Sequence, residues 1–297
     1  MDGVLVIDKP EGPTSHDVVA KARRALGEKR VGHTGTLDPL ATGVLPLVFG
    51  RATRLVRFLI ASDKEYEATI LFGVTTDTLD VTGEETSRSG GAPSRDALVA
   101  ALRAFEGEQR QVPPAYSAKK VGGRRAYDLA RRDEPVELAP VPVRVSRLAL
   151  LEAGNDRCRI SLTCSAGFYV RSLVRDLGER VGTGACLEAL RRTRSGEFTI
   201  DEAIPLDALD PPEPGARIPD PGLIPMEKLL RAFPAVTVTA EGLTRVSHGQ
   251  QVRPVDVAGA LPSSSEWIRL LDRDGALVGL GTPQRVSGFL HPEVVLI

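Results

Sequence analysis

Short blocks of apolar and polar residues follow one another along this chain, and their spacing predicts strands and helices in mixed order. Ser94 and the pair Thr14-Ser15 are typical helix N-caps, each followed by apolar residues at helical spacing. Because no regular strand–helix–strand repeat is present, the pattern favours an α+β fold over a doubly wound sheet. The blocks typical of strands are GVLVIDKP, GVLPLVFG, EYEATILFG, VPVRVSRLALLEA and RCRISLTCS. The blocks typical of helices are ATRLVRFLI, RDALVAALRAFEG, FYVRSLVRDLGERVG and ACLEALRRT.

A proline-rich segment late in the chain, at about residues 210–222, breaks this pattern. Proline removes backbone donors and prevents regular helix, so we interpret the segment as an excursion just before a domain boundary. This places a large domain at residues 1–232 and a small domain at 233–297. The small domain contains short strand-like blocks such as AVTVTAEG and ALVGLG, which predict a small β-domain.

Composition sets limits on the class of protein. No apolar run approaches the roughly 20 residues that a membrane span requires, and we see no pattern of a signal peptide. The three cysteines, Cys158, Cys164 and Cys186, fit neither a zinc site nor a disulfide framework. An odd number of cysteines is typical of a reducing compartment, so we expect a cytoplasmic protein.

Charge is nearly balanced, with a net value of −1, but its distribution is uneven. One stretch, within a segment at about 108–135, carries several cations around the single acid Asp128. Such a run is usually a solvated helix face, and it can also bind the phosphates of a nucleic acid. The cations are Lys119, Lys120, Arg124, Arg125, Arg131 and Arg132.

Candidate chemistry begins with the loop GHTGTLDPLATG at residues 32–43, which presents one acid, Asp38. On spacing alone, Asp-Pro is more typical of a turn than of a catalyst. A phosphate-binding loop is disfavoured because no Gly-Lys-Ser/Thr closes it. His33 and the other histidines show no metal-ligand spacing, so we expect no metal.

The few aromatic residues leave two interpretations open. Tyr66, in a predicted strand, and Tyr169, close to Arg171, are packing residues by base rate, and each can also stack on an unstacked RNA base. Asp77 and Asp80 lie in a turn-rich segment, where the ligand spacing of a calcium-binding EF-hand is missing. We therefore predict a turn there.

Taken together, these segments closely resemble bacterial tRNA pseudouridine-55 synthases, in the order of that family and over most of residues 3–200. GHTGTLDPLATGVLPLVFGRATR resembles the catalytic motif, and VLVIDKPEGPTSHDVV resembles the N-terminal motif. DKEYEATILFGVTTDTLDVTG resembles the tyrosine motif, and PPAYSAKKVGGRRAYDLAR resembles the RNA-gripping insertion. The arginine-leucine motif is matched by CSAGFYVRSLVRDLGERVGTGACLEALRRTRSG.

The resemblance implies a pseudouridine synthase fold, which is α+β with a mixed, largely antiparallel central sheet, plus a small C-terminal β-barrel-like (PUA-like) domain. It implies isomerisation of uridine 55 in the T-loop of tRNA, without a cofactor. We expect the T-arm stem-loop to be the partner, with no membrane, no obligatory protein partner and a monomeric enzyme.

The resemblance also implies roles for individual residues. Asp38 would act as nucleophile or charge stabiliser, in a bidentate pair with Arg171. Tyr66 would stack on the flipped base, with its hydroxyl as a candidate proton acceptor near the ribose. Tyr169 and Leu190 would form walls of the base pocket, and His33 would fill the stacking space that the flipped base leaves. Lys9 would lie near the active-site loop. The T-arm phosphates would be bound by Lys119, Lys120, Arg124 and Arg125.

Two other classes of function remain as alternatives. A non-enzymatic RNA-binding or chaperone protein would keep the basic segment but would not need Asp38 or Arg171. A phosphate-ester hydrolase with an aspartate nucleophile would need metal-binding carboxylates nearby, and none converge at suitable spacing.

Overall fold

Two large sheets, two two-stranded hairpins and six α-helices are the main elements of the described part of this computed structural model. It describes residues 1–91, 93–117, 119–121, 124–130, 138–211, 222–259, 261–262, 265–284 and 288–297. The proline-rich excursion therefore lies largely outside the described residues, as do parts of the basic insertion. Among the described residues, no helix is long and apolar enough to cross a membrane.

A mixed sheet of ten strands forms the core of the larger part of the chain, in the order β14-β1-β3-β12-β4-β11-β10-β7, with β2 paired to β3 and β13 to β12. Only its β1–β14 and β3–β12 pairs are parallel, so the predicted mixed sheet is confirmed. Its strands are β1 (Gly3–Lys9), β2 (Val31–His33), β3 (Thr42–Phe49), β4 (Lys64–Phe72), β7 (Gly107–Gln111), β10 (Val141–Ala153), β11 (Arg157–Cys164), β12 (Ala185–Ser195), β13 (Phe198–Thr199) and β14 (Ile204–Pro205). Two hairpins lie outside it: β5 (Val74–Thr76) with β6 (Glu85–Arg88), and β8 (Lys120–Val121) with β9 (Arg124–Arg125).

The helices begin largely where the sequence predicts. Thr14 caps the first helix in a capping box with Asp17, and Ser94 accepts a hydrogen bond from Ala97 at the start of the third. The block ATRLVRFLI forms a 3₁₀ turn that leads into a short α-helix. The helices are α1 (Ser15–Leu26), α2 (Val56–Ile60), α3 (Arg95–Arg103), α4 (Ala126–Ala130), α5 (Val170–Val181) and α6 (Ala240–Ser247).

The prediction of a helix for ACLEALRRT is wrong, because this block forms the central strand β12. Helix α5 ends at Gly182, whose φ of 77° lies in the left-handed region, and the chain then turns back. The strand pairs along its length with β4 and, at one end, with β3, so sheet pairing overrides the helical spacing of its apolar residues. Leu190 therefore lies on a strand, not in the helix core that its spacing suggests.

The C-terminal part contains a five-stranded sheet in the order β16-β15-β17-β18-β19, which confirms the predicted small β-domain. Its strand order is open among the described residues. Helix α6, which the sequence analysis did not predict, follows β15 and spans Ala240–Ser247. The strands are β15 (Ala235–Val238), β16 (Val257–Ala258), β17 (Ile268–Leu271), β18 (Leu277–Pro283) and β19 (Leu290–Val295).

A continuous apolar core joins the two sheets. Val44 and Leu55 from the large domain pack in one cluster with Leu230, Leu280 and Leu296. Arg51 also donates to the carbonyl oxygen of Leu296 over 2.7 Å, and Arg54 donates to that of Val295. The predicted boundary between residues 232 and 233 stays a prediction, and we expect the two parts to behave as one rigid unit because they share this core.

Candidate active site

The loop that carries Asp38 connects β2 to β3, and it is fixed from behind by a buried lysine. Lys9, at the end of β1, is fully buried, and its Nζ donates to the carbonyl oxygens of Pro10, Pro39 and Ala41 over 2.8, 3.3 and 2.7 Å. Burial lowers the pKa of Lys9 to about 8, against the opposing effect of Asp38. This ammonium is neither a surface charge nor a wall of the pocket, so we assign Lys9 to holding the loop.

Two further contacts define the path of the same loop. Ser15, at the start of α1, both donates to the carbonyl of Leu37 over 3.0 Å and accepts from its N–H over 2.8 Å. From the opposite side, the buried guanidinium of Arg192 donates to the carbonyls of Val44 and Gly35 over 2.7 and 3.0 Å. Because the backbone is held on both sides, the direction of the Asp38 side chain is preset.

Asp38 faces a pocket of about 300 Å³, and its side chain is 41% exposed there. Arg171 Nη2 lies 2.8 Å from Asp38 Oδ2, while the arginine side chain is only 7% exposed. The pairing predicted from the sequence is therefore present.

The predicted bidentate geometry of this pair is wrong, because the guanidinium is shared among several acceptors. Its Nη1 donates to the carbonyl of Thr78 over 2.9 Å, and its Nη2 donates to that of Tyr116 over 2.8 Å. Asp80 Oδ2 lies 3.8 Å from Nη1. Arg171 is thus fixed by neighbours other than Asp38, and among the described residues only Oδ2 of Asp38 has a partner.

Asp80 is a member of the site that the sequence analysis missed, although the predicted turn is confirmed. The carboxylate is buried and accepts from the hydroxyls of Thr78 and Thr82 and from the N–H of Thr82, over 2.8, 2.5 and 3.0 Å. Leu79 before it has a φ of 66°, an uncommon conformation that tightens the turn. The signal was the TDTLDVTG pattern, which is typical of an Asx turn and says nothing about a distant arginine.

The register of two central strands explains how the walls of the pocket come together. Tyr66 of β4 stands opposite Arg192 of β12, and Leu190 of β12 stands opposite Ala68. Residues directly opposite one another, and residues two positions apart, lie on the same face of a sheet. Tyr66, Leu190 and Arg192 therefore line the same pocket as Asp38.

Tyr169 forms another wall, next to the helix that carries Arg171. It occupies the N-cap of α5, and the side chain of Gln111 bonds both its N–H and its carbonyl over 2.8 and 3.0 Å. Burial raises the pKa of Tyr169, and the nearby Ser117 hydroxyl opposes this effect. Five of the predicted residues thus line one pocket: Asp38, Tyr66, Tyr169, Arg171 and Leu190.

Tyr66 is half-buried in the wall of this pocket. Burial raises the pKa of Tyr66, against the opposing effect of the Arg192 guanidinium. Lys64, a second residue that the sequence analysis missed, also lines the pocket, and burial lowers its pKa to about 8. The tyrosine therefore meets a ligand as a neutral phenol.

The predicted residues outside the pocket fall into two groups. His33 ends β2 without lining the pocket; its ring contacts that of His16 edge-to-face at 5.6 Å, and its Nδ1 accepts from the N–H of Gly35 over 3.3 Å. Burial lowers the pKa of His33. Lys119 is half-buried two residues after Ser117, which does line the pocket. Lys120, Arg124 and Arg125 lie on the hairpin β8–β9, and their side chains are outside what the structure describes.

Family models match this chain along most of its length. The model described as TruB family pseudouridylate synthase (N terminal domain) matches residues 23–170. Two C-terminal models, for tRNA pseudouridylate synthase B and for pseudouridine synthase II TruB, match residues 171–231 and 234–296. The fold and the pocket thus define a pseudouridine synthase, and the chain belongs to the TruB family.

Curated relatives point to one member of that family. The chain is 46% identical to tRNA pseudouridine synthase B of Solibacter usitatus (strain Ellin6076) over 297 residues, which is 100% of both chains. It is 42% identical to the protein of the same name from Burkholderia mallei (strain NCTC 10247), covering 100% of this chain and 97% of that one.

Solved structures agree on the fold. One similar chain belongs to an H/ACA ribonucleoprotein bound to a substrate RNA containing 2′-deoxyuridine, with a TM-score of 0.75 and 28% identity over 99% of this chain and 85% of that one. Another belongs to a Cbf5-Nop10-Gar1 complex, with a TM-score of 0.75 and 29% identity over the same shares.

Proposed function

We propose that this protein isomerises uridine to pseudouridine in tRNA, at position 55 of the T-loop. The observation that carries the proposal is the Asp38 carboxylate, which faces a nucleobase-sized pocket and is paired with the buried Arg171. The relatives named tRNA pseudouridine synthase B support tRNA as the substrate. The T-loop position rests on the resemblance of the motifs.

The reaction breaks the N-glycosidic bond of uridine and forms a bond between C5 of the base and C1′ of the ribose. As the first bond breaks, positive charge develops on the sugar or a covalent adduct forms, and an ionised carboxylate serves either course. Asp38 has the charge for this role, and its side chain faces the pocket. Arg171 pairs with the Asp38 carboxylate and leaves it accessible from the pocket.

A uridine inside a folded loop must leave its stack before it can reach Asp38, at a cost of a few kcal/mol. Tyr66 and Tyr169 offer aromatic surfaces to the flipped base, and Leu190 offers an apolar one. We propose that His33, at the rim of the Asp38 loop, fills the space that the uridine leaves. We propose that Lys119, Lys120, Arg124 and Arg125 bind T-arm phosphates, which would make tRNA affinity fall with added salt.

The protein is proposed to act as a monomer without an obligatory protein partner. One similar solved chain belongs to an H/ACA ribonucleoprotein with a substrate RNA and another to a Cbf5-Nop10-Gar1 complex, whereas we propose that this chain acts without such partners. Light scattering on the purified chain, alone and with one equivalent of tRNA, measures its oligomeric state directly. A cytoplasmic location stays a prediction from the sequence.

The proposed activity is tested with tRNA transcripts that carry tritium on C5 of every uridine. Formation of the C5–C1′ bond expels the C5 hydrogen, so the native chain should release tritium to water. A transcript with cytidine at position 55 should release none. Release from both transcripts would refute the position, and release from neither would refute the activity.

Tyr66→Phe is expected to bind tRNA normally and to react about 100-fold more slowly, which is the low end of the effect of a positioned proton-transfer group. The raised pKa keeps the hydroxyl protonated at neutral pH, so it accepts a proton only while passing its own to another group, and Arg192 is placed to stabilise the partial negative charge on its oxygen. Single-turnover rates, measured beside filter binding, give this result. A near-normal rate would reduce Tyr66 to a stacking surface.

A further inference from the structure

One wall of the active-site pocket holds a hydroxyl group that makes no short hydrogen bond with the described residues, although the Tyr169 hydroxyl lies near it. Ser117 lines the pocket and is only 5% exposed, and its Oγ makes no hydrogen bond of ordinary geometry among the described residues. Buried hydroxyls in folded proteins are almost always bonded, and leaving one unpaired lowers stability. A hydroxyl in the wall of a ligand pocket that lacks a short hydrogen bond within the protein therefore indicates that a bound ligand completes its bonding.

Comparison with other buried hydroxyls makes Ser117 distinct. Thr34 and Ser195 also carry buried, unpaired hydroxyls among the described residues, but neither lines the pocket. Of these three hydroxyls, only that of Ser117 belongs to a residue in the pocket wall. Ser195 is on the same strand as Leu190 and Arg192, so it offers a matched reference for the loss of an equally buried hydroxyl.

The backbone around Ser117 is fixed to the candidate catalytic machinery. The carbonyl of the preceding Tyr116 accepts from Arg171 Nη2 over 2.8 Å. The N–H of Ser117 donates to Ala115 over 3.0 Å, and its carbonyl accepts from the N–H of Tyr127, in α4, over 3.1 Å. Ser117 is therefore presented to the pocket at a fixed position relative to Arg171.

We propose that the Ser117 hydroxyl donates a hydrogen bond to a carbonyl oxygen of the flipped uracil and keeps the detached base in place while it turns. This inference rests on the proposed function. In the isomerisation, C5 takes the place of N1, which amounts to a half-turn of the ring about its N3–C6 axis. That half-turn also exchanges O2 with O4. A donor fixed beside one carbonyl thus finds an acceptor both before and after the base turns.

The same symmetry explains why serine suits this position. Its single hydroxyl needs one acceptor, and the uracil ring offers equivalent oxygens in the two orientations. A charged donor there would compete with Arg171 for the Asp38 carboxylate. Ser117 would hold the uracil ring, whereas Asp38 supplies the carboxylate that takes part in breaking and forming the bond to C1′.

The test compares Ser117→Ala with Ser195→Ala on tRNA stem-loops that carry uridine, 2-thiouridine or 4-thiouridine at the target position. Sulfur is a weak acceptor, so each thio substrate weakens a bond to one of the two oxygens. Single-turnover product is measured by nucleoside chromatography, and RNA affinity by filter binding. Loss of one hydrogen bond to uridine is expected to slow Ser117→Ala about tenfold. Affinity should change less than about twofold, since phosphate contacts dominate it.

The decisive result is the dependence on the thio substrates. At least one of them should slow the native chain and Ser195→Ala but cause no further loss in Ser117→Ala, because the bond is already missing. Equal slowing of all three proteins by both substrates would overturn the inference. Ser117→Cys keeps the volume and weakens the donor, so an intermediate rate is expected even where Ser117→Ala fails to fold. A native chain that forms no pseudouridine would instead refute the proposed function.

Discussion

Asp38→Asn is expected to abolish pseudouridine formation, by about 10³-fold or more, while tRNA binding is retained. Asparagine keeps the size of the side chain and can still accept from Arg171, but it has neither the negative charge nor the nucleophilic oxygen. Loss of a single group at the reacting atoms costs rate on this scale in other enzymes. Tritium release from C5-labelled tRNA measures the rate, and filter binding measures the affinity.

The matched control for this variant is Asp63→Asn. Asp63 is a half-exposed loop acid whose partner is Arg144, at 3.4 Å, and it does not line the pocket. Its removal should leave both rate and affinity unchanged. Comparable turnover by Asp38→Asn and the native chain would remove the carboxylate from the mechanism and favour the non-enzymatic alternative.

Arg171→Lys is expected to lower the rate of pseudouridine formation by about 100-fold and to lower the free energy of unfolding by about 3 kcal/mol. A lysine ammonium is a single point of charge and cannot reach Asp38, Asp80 and the carbonyls of Thr78 and Tyr116 together. The shorter ammonium keeps the charge but leaves one or more of these acceptors without a donor, and each buried group left unsatisfied costs about 1–3 kcal/mol. Urea unfolding gives the stability, and single-turnover kinetics give the rate.

Arg175→Lys tests whether any arginine on α5 would behave this way. Arg175 lies one helical turn further along, is more exposed, and pairs with its neighbour Asp176 at 2.7 Å. We expect no change in rate and less than about 1 kcal/mol in stability, as for other surface pairs. A native-like rate for Arg171→Lys would show that a positive charge suffices and that the shared geometry of the guanidinium is not needed.

The strands of the large sheet were predictable because their apolar runs are bounded by proline, glycine and polar turns. The failure at ACLEALRRT has a physical cause. Leu187 and Leu190 have a spacing that fits a helix face, and only pairing with β4 and β3 makes the block a strand. Helix α6 was missed because its eight residues lie among strand-like blocks, too few for a clear period.

The site was predictable only as far as it follows from motifs. Asp38 and Arg171 were named from the family resemblance, and on spacing alone Asp38 was a turn residue. Asp80 and Ser117 carry no local signal of their own, because what matters is their distance to Arg171 and to the pocket. Arg192 reaches Gly35 only through the register of β12, which the sequence does not specify.

The apolar core shared by the two sheets has a consequence for synthesis of the protein on the ribosome. Val4 exchanges two backbone hydrogen bonds with Ile224, and its cluster is completed by Leu280 and Leu296. The first strand to be translated therefore cannot complete its packing until residues near the end of the sequence have been translated. Until those residues emerge from the ribosome, the nascent polypeptide exposes an apolar surface of the kind that holdase chaperones bind.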